Sequence, residues 1–368
     1  MAKTNRQQPI LDVRNLKANF HTYRGEVKAL NGVYLKIYPR EVLALVGESG
    51  CGKSVTVLTI IGLLPENAYV LSGRIIYKGK DLLNASKEEM RLSRASELAT
   101  VFQDPMTYLN PVLKIDIQLK ENFMLNKDLL KAAVITNKIE GKQIGYSEFL
   151  GMKGSTKNLS IKKYKVSKGE IKEMQRKLCL DVLRLVKLPD PERILQQYPF
   201  ELSGGMRQRV MIAMALARLP SIFIADEITT ALDVTIQAQI LRLMKDLKER
   251  IDASTLIITH DLSVAAEVSD RIAVMYGGNV VEVASTMEIF KKPLHPYTTL
   301  LMRAIPSILR PVNTLKSIPG TVPEMINPPP GCRFHPRCPY ATVRCKKEKP
   351  KLTEISDGHE VACHLYGG

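Results

Sequence analysis

The apolar positions of the chain predict a strand, a loop and a helix in close succession. Residues 41–46 predict a short strand, because Glu41 is followed by five apolar residues, as in a strand buried on both faces. Residues 47–52 carry three glycines, and the pattern from Lys53 to Leu64 indicates a helix that Pro65 stops. Two later apolar runs end in polar residues and are separated by helical patterns: 221–225 and 255–259. This alternation predicts an α/β fold with a largely parallel sheet.

The pattern changes towards the C-terminus. Residues 271–282 contain two strand-like runs around Gly277-Gly278, which predicts a hairpin. From Pro293 onwards proline recurs and apolar periodicity is lost, so we do not expect this segment to continue the sheet. We therefore place a boundary near Lys292, between a nucleotide-binding domain at 1–292 and a loop-rich extension at 293–368.

Composition is that of a globular protein. The chain has 368 residues, of which 45% are hydrophobic and 24% charged, and its apolar runs are too short to cross a bilayer. The first ten residues lack the features of an export signal, so we expect a cytoplasmic location. The net charge is +16, and residues 127–177 hold thirteen Lys or Arg against five Asp or Glu. This Lys-rich segment, called the insertion below, suits a solvated or lipid-facing surface, and the charge alone identifies no partner.

A phosphate-binding motif lies between the first strand and helix. Its residues fit the pattern G-x-x-x-x-G-K-[ST]: Gly47, Glu48, Ser49, Gly50, Cys51, Gly52, Lys53 and Ser54. The glycines let backbone N–H groups curl around phosphates, Lys53 pairs with the β and γ phosphates, and Ser54 binds Mg2+. The alternative is a chance glycine-rich turn, but the strand and helix on either side favour ATP binding.

Two carboxylates end the apolar run 222–225. Asp226 is placed to hold the Mg2+ shell and Glu227 to polarise an attacking water, as a catalytic residue. The alternative is a solvated strand end. The phosphate-binding motif upstream favours the functional interpretation.

A third motif opens a helical pattern at 210–216. Leu202, Ser203, Gly204, Gly205 and Met206 offer a hydroxyl and N–H groups to an anion, although alone they are only a capped helix. With the two motifs above, this segment resembles the signature of the ABC-transporter ATPases, in which two subunits hold ATP between one phosphate loop and the partner's signature. The resemblance implies a P-loop NTPase fold with a parallel sheet core, an antiparallel β subdomain and a helical signature subdomain at about 104–205.

The same resemblance assigns further residues in the expected order. Gln103 matches the glutamine that contacts Mg2+ and the membrane subunits, so the resemblance implies Mg2+ ligation by Ser54, Gln103 and Asp226. His260 matches the switch histidine, a second catalytic residue. A further segment resembles the D-loop: Ala231, Leu232 and Asp233.

An aromatic residue near the N-terminus is also implied, to stack on adenine. Phe20 and Tyr23 are both candidates. Three departures from the family pattern are visible: Ile228 stands where Pro is usual, Tyr108 stands where Ser is common, and the insertion lengthens the distance from Gln103 to Ser203. The first two remove no chemical group.

Other segments resemble the ATP-binding subunits of oligopeptide and dipeptide importers: 102–111, 197–199, 295–298 and 318–323. The resemblance implies that ATP hydrolysis drives uptake of di- and oligopeptides across the cytoplasmic membrane. The implied partners are an identical or related ATPase, two membrane permeases at whose cytoplasmic face the chain is bound, and an extracytoplasmic substrate-binding protein. Oligosaccharide or metal-complex uptake is the alternative.

A nucleic-acid-associated or ribosome-associated ABC ATPase would suit the charge. Relatives of that class fuse two ATPase domains, whereas this chain has one phosphate-binding motif and one signature, so we expect no nucleic acid. A further alternative is an electron-transfer protein that uses cysteines near the C-terminus, described next. Reversible reduction and oxidation of a site formed by these cysteines would favour it.

Four cysteines near the C-terminus have the spacing C-x5-C-x6-C-x17-C: Cys332, Cys338, Cys345 and Cys363. Four thiolates can hold zinc or a 4Fe-4S cluster, and the spacing does not choose between them. The importer resemblance implies an iron-sulfur cluster, which we interpret as a structural crosslink of a metal-bound extension. We expect Phe334 and Tyr340 to shield the sulfurs and three arginines to offset the thiolate charge: Arg333, Arg337 and Arg344.

Overall fold

The computed structural model of the protein describes residues 8–141, 143–153, 164–230, 232–304 and 318–367. The strands are β1 (Leu11–Thr22), β2 (Gly25–Ile37), β3 (Val42–Val46), β4 (Ala68–Tyr77), β5 (Lys80–Asp81), β6 (Leu98–Val101), β7 (Ile222–Asp226), β8 (Ser254–Thr259), β9 (Arg271–Tyr276), β10 (Asn279–Ser285), β11 (Thr353–Ser356) and β12 (His359–Val361). The helices are α1 (Lys53–Ile60), α2 (Lys87–Ser96), α3 (Pro105–Tyr108), α4 (Ile115–Met124), α5 (Lys127–Glu140), α6 (Tyr146–Gly151), α7 (Lys168–Leu185), α8 (Pro191–Gln196), α9 (Gly204–Ala217), α10 (Val234–Arg250), α11 (Leu262–Val268), α12 (Thr286–Lys291), α13 (Pro296–Arg303) and α14 (Val343–Lys347).

The chain divides into two compact units, which we describe separately. The first comprises Met1–Met90 and Ser254–Gly368, and the second comprises Arg91–Ala253. The boundary that we place near Lys292 stays a prediction.

Two sheets build the first unit. One is antiparallel, with strand order β2-β1-β4-β5, and in the other the strands of this unit follow the order β11-β12-β10-β9-β3-β8. β3 pairs in parallel with both β8 and β9, and all five of its residues are buried. The predicted parallel core and antiparallel subdomain are both present. The predicted hairpin is confirmed, because β9 and β10 pair antiparallel through Gly277 and Gly278, whose φ angles are 50° and 75°.

Helix α1 ends earlier than the sequence pattern predicts, at Ile60 instead of Leu64. Gly62 has a left-handed φ of 64°. The Gly62 N–H donates to the Thr59 carbonyl at 3.2 Å, and the Leu63 N–H donates to the Leu58 carbonyl at 2.8 Å. These two bonds form a Schellman motif, which stops the helix before Pro65 is reached.

The C-terminal extension does continue the sheet, so our expectation that it would not is wrong. β12 pairs antiparallel with β10 and β11 pairs with β12. The four residues of β11 are all exposed, so the strand carries no apolar alternation that a sequence pattern could reveal.

A buried carboxylate joins β10 to the extension. Glu282 is fully buried and accepts hydrogen bonds from the N–H groups of Leu294 (2.7 Å) and His295 (2.9 Å). His359 of β12 lies 2.8 Å from the same carboxylate. Burial raises the pKa of Glu282, but the hydrogen bonds outweigh it and leave the pKa below its ordinary value. The carboxylate is therefore ionised and satisfied at neutral pH.

The second unit contains β6 and β7, which pair in parallel, and a group of helices. Its Lys-rich segment is not wholly a solvated surface. α5 and α7 pack together and each has an apolar buried face, including Leu130 and Leu178. Tyr146 and Phe149 of α6 meet the buried Phe123 edge to face, with ring centroids 6.4 and 6.0 Å apart. Residues 154–163 of this segment lie outside the described residues.

Within the described part of the chain, no helix combines the length and the apolar character needed to cross a lipid bilayer.

We predict that Glu282→Gln lowers the free energy of unfolding by about 3 kcal/mol, because one amide cannot replace a carboxylate that accepts from several donors. Urea unfolding at pH 7 measures this. Since the folded pKa lies below the unfolded one, the contribution is present above about pH 4.5 and disappears as the pH falls through the folded value. The partly exposed Glu360 on β12 is the control, and equal losses for Glu282→Gln and Glu360→Gln would contradict the prediction.

Candidate functional site

The phosphate-binding motif joins β3 to α1, as predicted. Gly50 and Gly52 adopt left-handed φ angles of 76° and 107°, which glycine tolerates best. Gly47 is required for a different reason. A Cβ at this position would overlap the Met275 carbonyl oxygen and lie 2.8 Å from the Cys51 sulfur. Glycine at these three positions therefore lets the loop follow its path without a steric clash or backbone strain.

Lys53 folds back over the loop. Its Nζ donates to the carbonyl oxygens of Gly47 at 2.8 Å and of Glu48 at 3.2 Å, and the residue is buried. The neighbouring Ser54 is exposed, as is Ser49. Burial raises the pKa of Cys51 to about 11, so this thiol is neutral and behaves as a small apolar group.

His260 lies at the same edge of the sheet as the phosphate-binding loop. β3 and β8 are parallel with Val46 opposite Thr259, so Gly47 and His260 each follow a paired residue. His260 is exposed. The next residue, Asp261, caps α11 by accepting the Ser263 N–H at 2.7 Å, which sets where the chain turns after His260.

In the second unit, the candidate Mg2+ ligands Gln103 and Asp226 lie at the same end of the parallel strands β6 and β7. Val101 of β6 is paired with Ala225 of β7, so Gln103 follows one strand and Asp226 ends the other. Asp226 is 7% exposed. Glu227 is half-buried and has a left-handed φ of 50°, an unusual conformation for a residue other than glycine.

The signature residues form the N-terminus of α9. Ser203 caps the helix by accepting the Met206 N–H at 3.4 Å, while Leu202 is buried. Gly205 faces α10, and a Cβ there would lie 2.7 Å from Ile236 Cγ2. Ser203 is exposed and Gly204 is half-buried, so the Ser203 hydroxyl is accessible at the start of this helix.

The remaining candidates are placed as follows. Asp233 caps α10 by accepting the Ile236 N–H at 2.9 Å, with Leu232 half-buried beside it; Ala231 lies outside the described residues. Phe20 is half-buried in β1. Tyr23 occupies the turn after β1, is 91% exposed, and has the Arg24 guanidinium 5.3 Å from its ring centre.

The four C-terminal cysteines line one small cavity, together with Phe334 and Tyr340. All are free thiols. Burial raises the pKa of Cys332 to about 11, and the neighbouring Cys345, Cys363 and Cys338 add to this rise. Among the described residues, however, no group of three or more His, Cys, Asp or Glu side chains is arranged to hold a metal ion. The sulfurs are neighbours without being preassembled as a single-ion site.

The three arginines donate hydrogen bonds to oxygen acceptors, and the offset of thiolate charge by them stays a prediction. Arg337 binds Glu48 of the phosphate-binding loop, with nitrogen–oxygen distances of 2.8 and 3.1 Å. Arg333 donates to the carbonyl oxygens of Lys28 at 3.0 Å and Gly277 at 2.6 Å. Arg344 forms an exposed pair with Glu348 at 2.9 Å. Each of the three guanidinium groups therefore has oxygen acceptors outside the cysteine cluster.

Comparison with known families shows which family the chain belongs to. The sequence profile described as ABC transporter matches residues 30–230, which include the phosphate-binding loop, the signature and both carboxylates. The chain belongs to the ABC transporter family. A second profile, described as the oligopeptide/dipeptide transporter C-terminal region, matches residues 281–345.

Curated relatives of this ABC ATPase match it over almost its whole length. The dipeptide transport ATP-binding protein DppD of Bacillus subtilis is 44% identical over 97% of this chain and 95% of its own. The oligopeptide transport ATP-binding protein OppD of the same organism is 44% identical over 97% of this chain and 88% of its own. The solved dimer of MJ0796, a bacterial ABC transporter cassette, has a TM-score of 0.54 at 26% identity and covers 75% of this chain and 98% of that one.

Sequence reasoning missed two residues of this ABC ATPase that contact the phosphate-binding loop. Besides Arg337, the buried Tyr297 accepts the Glu48 N–H through its hydroxyl at 3.0 Å. Tyr297 lies in a segment that only the resemblance singles out, 295–298, and we expected Arg337 to offset thiolate charge instead. No local pattern pairs them with a residue that precedes them by 249 or 289 positions.

We predict that Gly47→Ala weakens ATP binding by about tenfold or more, because the added methyl group displaces the loop at a cost of about 1–3 kcal/mol. Equilibrium titration with ATP measures the dissociation constant. Gly151→Ala is the matched control, since a Cβ there meets nothing within 4 Å. Unchanged ATP affinity in Gly47→Ala would show that the loop does not need its present path.

Proposed function

We propose that this ABC ATPase hydrolyses ATP to drive the import of dipeptides and oligopeptides. The observation that carries the proposal is the joint presence of the ABC transporter match at 30–230 and the oligopeptide/dipeptide transporter match at 281–345. The relatives named for dipeptide and oligopeptide transport support it, because their similarity includes the C-terminal region.

In the proposed reaction the loop residues 47–54 bind the phosphates through backbone N–H groups and the Lys53 ammonium. Glu227 accepts a proton from the attacking water, and His260 contacts the terminal phosphate. The left-handed backbone of Glu227 is consistent with this role, since strained conformations concentrate at functional sites. Adenine stacks on Phe20 or Tyr23.

The proposed Mg2+ ligands are the Ser54 hydroxyl, the Gln103 amide oxygen and the Asp226 carboxylate. These are hard oxygen donors of the kind that Mg2+ prefers, and Ser54 and Gln103 are exposed to a ligand. When bound, the ion neutralises charge that develops on the phosphates.

The signature needs a second ATPase. Residues 202–206 offer a capped helix N-terminus to the ATP of a partner, and residues 231–233 are the proposed D-loop. Two copies of this chain, or this chain and a relative, would fit.

The proposed location is the cytoplasmic face of the membrane, where the chain is bound to two permeases. An extracytoplasmic binding protein selects the cargo in this proposal. Oligosaccharide or metal-complex cargo is the alternative.

We predict that Glu227→Gln keeps ATP affinity but lowers ATP turnover by about 10²–10⁴-fold, because the amide keeps the shape and cannot take the proton. The measurement is ATPase activity and dipeptide uptake by the transporter reconstituted with its permeases and binding protein. Lys53→Ala is the comparison variant, and it should fail at ATP binding itself. Near-normal hydrolysis by Glu227→Gln would reject its catalytic role, and uptake of an oligosaccharide instead of a dipeptide would reject the cargo.

The four C-terminal cysteines are proposed to hold a 4Fe-4S cluster. The support is that their thiols line one cavity, and four thiolates can ligate such a cluster. Phe334 and Tyr340 line the same cavity and would shield the sulfurs. A bound cluster would crosslink the extension and supply ordering free energy that its loops lack.

We predict that anaerobically purified protein contains about four iron and four acid-labile sulfide per chain and is brown. Iron and sulfide analysis measures this, and any one Cys→Ser change among the four should remove the colour. Cys179→Ser is the control, because that buried cysteine lies in α7. A colourless preparation with one zinc per chain would replace the cluster by the zinc alternative.

A further inference from the structure

The phosphate-binding loop is held from outside by the C-terminal segment that bears the cysteines. Glu48, the second residue of the loop, is bound twice. Its carboxylate accepts a two-pronged interaction from Arg337, at 2.8 and 3.1 Å, and its N–H donates to the Tyr297 hydroxyl at 3.0 Å. Both the side chain and the backbone of Glu48 are therefore fixed by residues from the far end of the chain.

Arg337 is itself fixed. Its side chain is 5% exposed, its Nε donates to the Pro319 carbonyl at 2.8 Å, and its Nη1 lies 3.3 Å from the Tyr276 hydroxyl. Hydrogen bonds to Glu48 and Tyr276 raise the pKa of Arg337 against the effect of burial. A buried, forked guanidinium with all these acceptors holds its partner far more strictly than a surface ion pair does.

Tyr297 is equally constrained. It is fully buried at the start of α13, and its N–H donates to the His295 Nδ1 at 3.0 Å. Burial lowers the pKa of His295 to about 4, so the imidazole is neutral and can accept that bond. The rings of Tyr297, Tyr276 and Phe334 pack together with centroids 4.7 to 5.3 Å apart. The acceptor of the Glu48 N–H is therefore a rigid one.

Glu48 is also in contact with the lysine of the loop. The Glu48 carbonyl accepts from Lys53 Nζ at 3.2 Å, so a shift of this residue changes the surroundings of the lysine. Its carboxylate adds a negative charge to a loop that must bind a polyanion. Without a cation beside it, this charge would repel the phosphates.

We infer that Arg337 is a positioning residue for ATP binding, which neutralises Glu48 and, with Tyr297, holds the phosphate-binding loop in its binding shape. The inference rests on the proposed ATP binding and extends it. The C-terminal segment is then a determinant of nucleotide affinity, whether or not a cluster is bound. Arg337 directly precedes Cys338 and binds Glu48, so a shift of the chain at Cys338 would also move the arginine that holds the loop.

The test is the dissociation constant for MgATP of the full chain carrying Arg337→Gln. We expect it to rise about tenfold or more, because the Glu48 carboxylate loses its partner. Arg344→Gln is the matched control: Arg344 also directly precedes a cysteine, but its partner is the exposed Glu348. This control should bind ATP as the unmodified chain does. Arg337→Lys, which keeps the charge without the fork, should fall between the two.

A rescue experiment separates positioning from simple loss of fold. Adding Glu48→Gln to Arg337→Gln removes the unpaired carboxylate and should restore much of the lost affinity. Tyr297→Phe should weaken ATP binding by about threefold to tenfold, since the Glu48 N–H loses its acceptor.

Three results would overturn the inference: Arg337→Gln binding ATP normally, Arg344→Gln losing as much affinity, or no rescue by Glu48→Gln. If the unmodified chain does not bind ATP at all, the proposed function fails instead.

Discussion

Strand β3 is hydrogen-bonded in parallel to β8 on one side and to β9 on the other, with Val46 opposite both Thr259 and Val274. Because parallel strands end at a common edge, this pairing brings the phosphate-binding loop, the residue after β8 and the β9–β10 turn to one place. The neighbours then shape the loop. The Gly278 N–H donates to the Cys51 carbonyl at 2.8 Å. The Met275 carbonyl oxygen leaves no room for a side chain at position 47. The path of the loop depends on the strands beside it as well as on its own glycines.

The parts of the fold and site that could be predicted have local signals. The strand, glycine loop and helix at 41–60 are contiguous, and the β9–β10 hairpin has a glycine pair at its turn. The helical core of the second unit is hidden by charge: the lysines of residues 127–177 favour a solvated surface, although Leu130 and Ala133 are buried and have the spacing of a helix face. This spacing is a local signal that predicts the buried side of α5.

Other features depend on contacts between distant, mostly polar residues. β11 is short and wholly exposed, so its pairing with β12 has no hydrophobic signature. Glu282 and His359 are separated by 77 residues, and Glu48 and Arg337 by 289. A charged residue in a sequence is normally read as solvated, because unpaired burial is costly. Only the fold shows that these particular charges have partners.

The extension is thus joined to the ATPase by polar contacts in buried positions as well as by the packing of Tyr297 and Phe334 on Tyr276. The polar contacts add little net stability compared with apolar packing, but each is costly to leave half-made. Glu282 requires the N–H groups before α13 and the imidazole of His359, and Glu48 requires Arg337. A displaced extension would leave both carboxylates without these partners, so the contacts favour the observed docked position. Since one of these carboxylates belongs to the phosphate-binding loop, the requirement for correct docking is also a requirement for an intact nucleotide site.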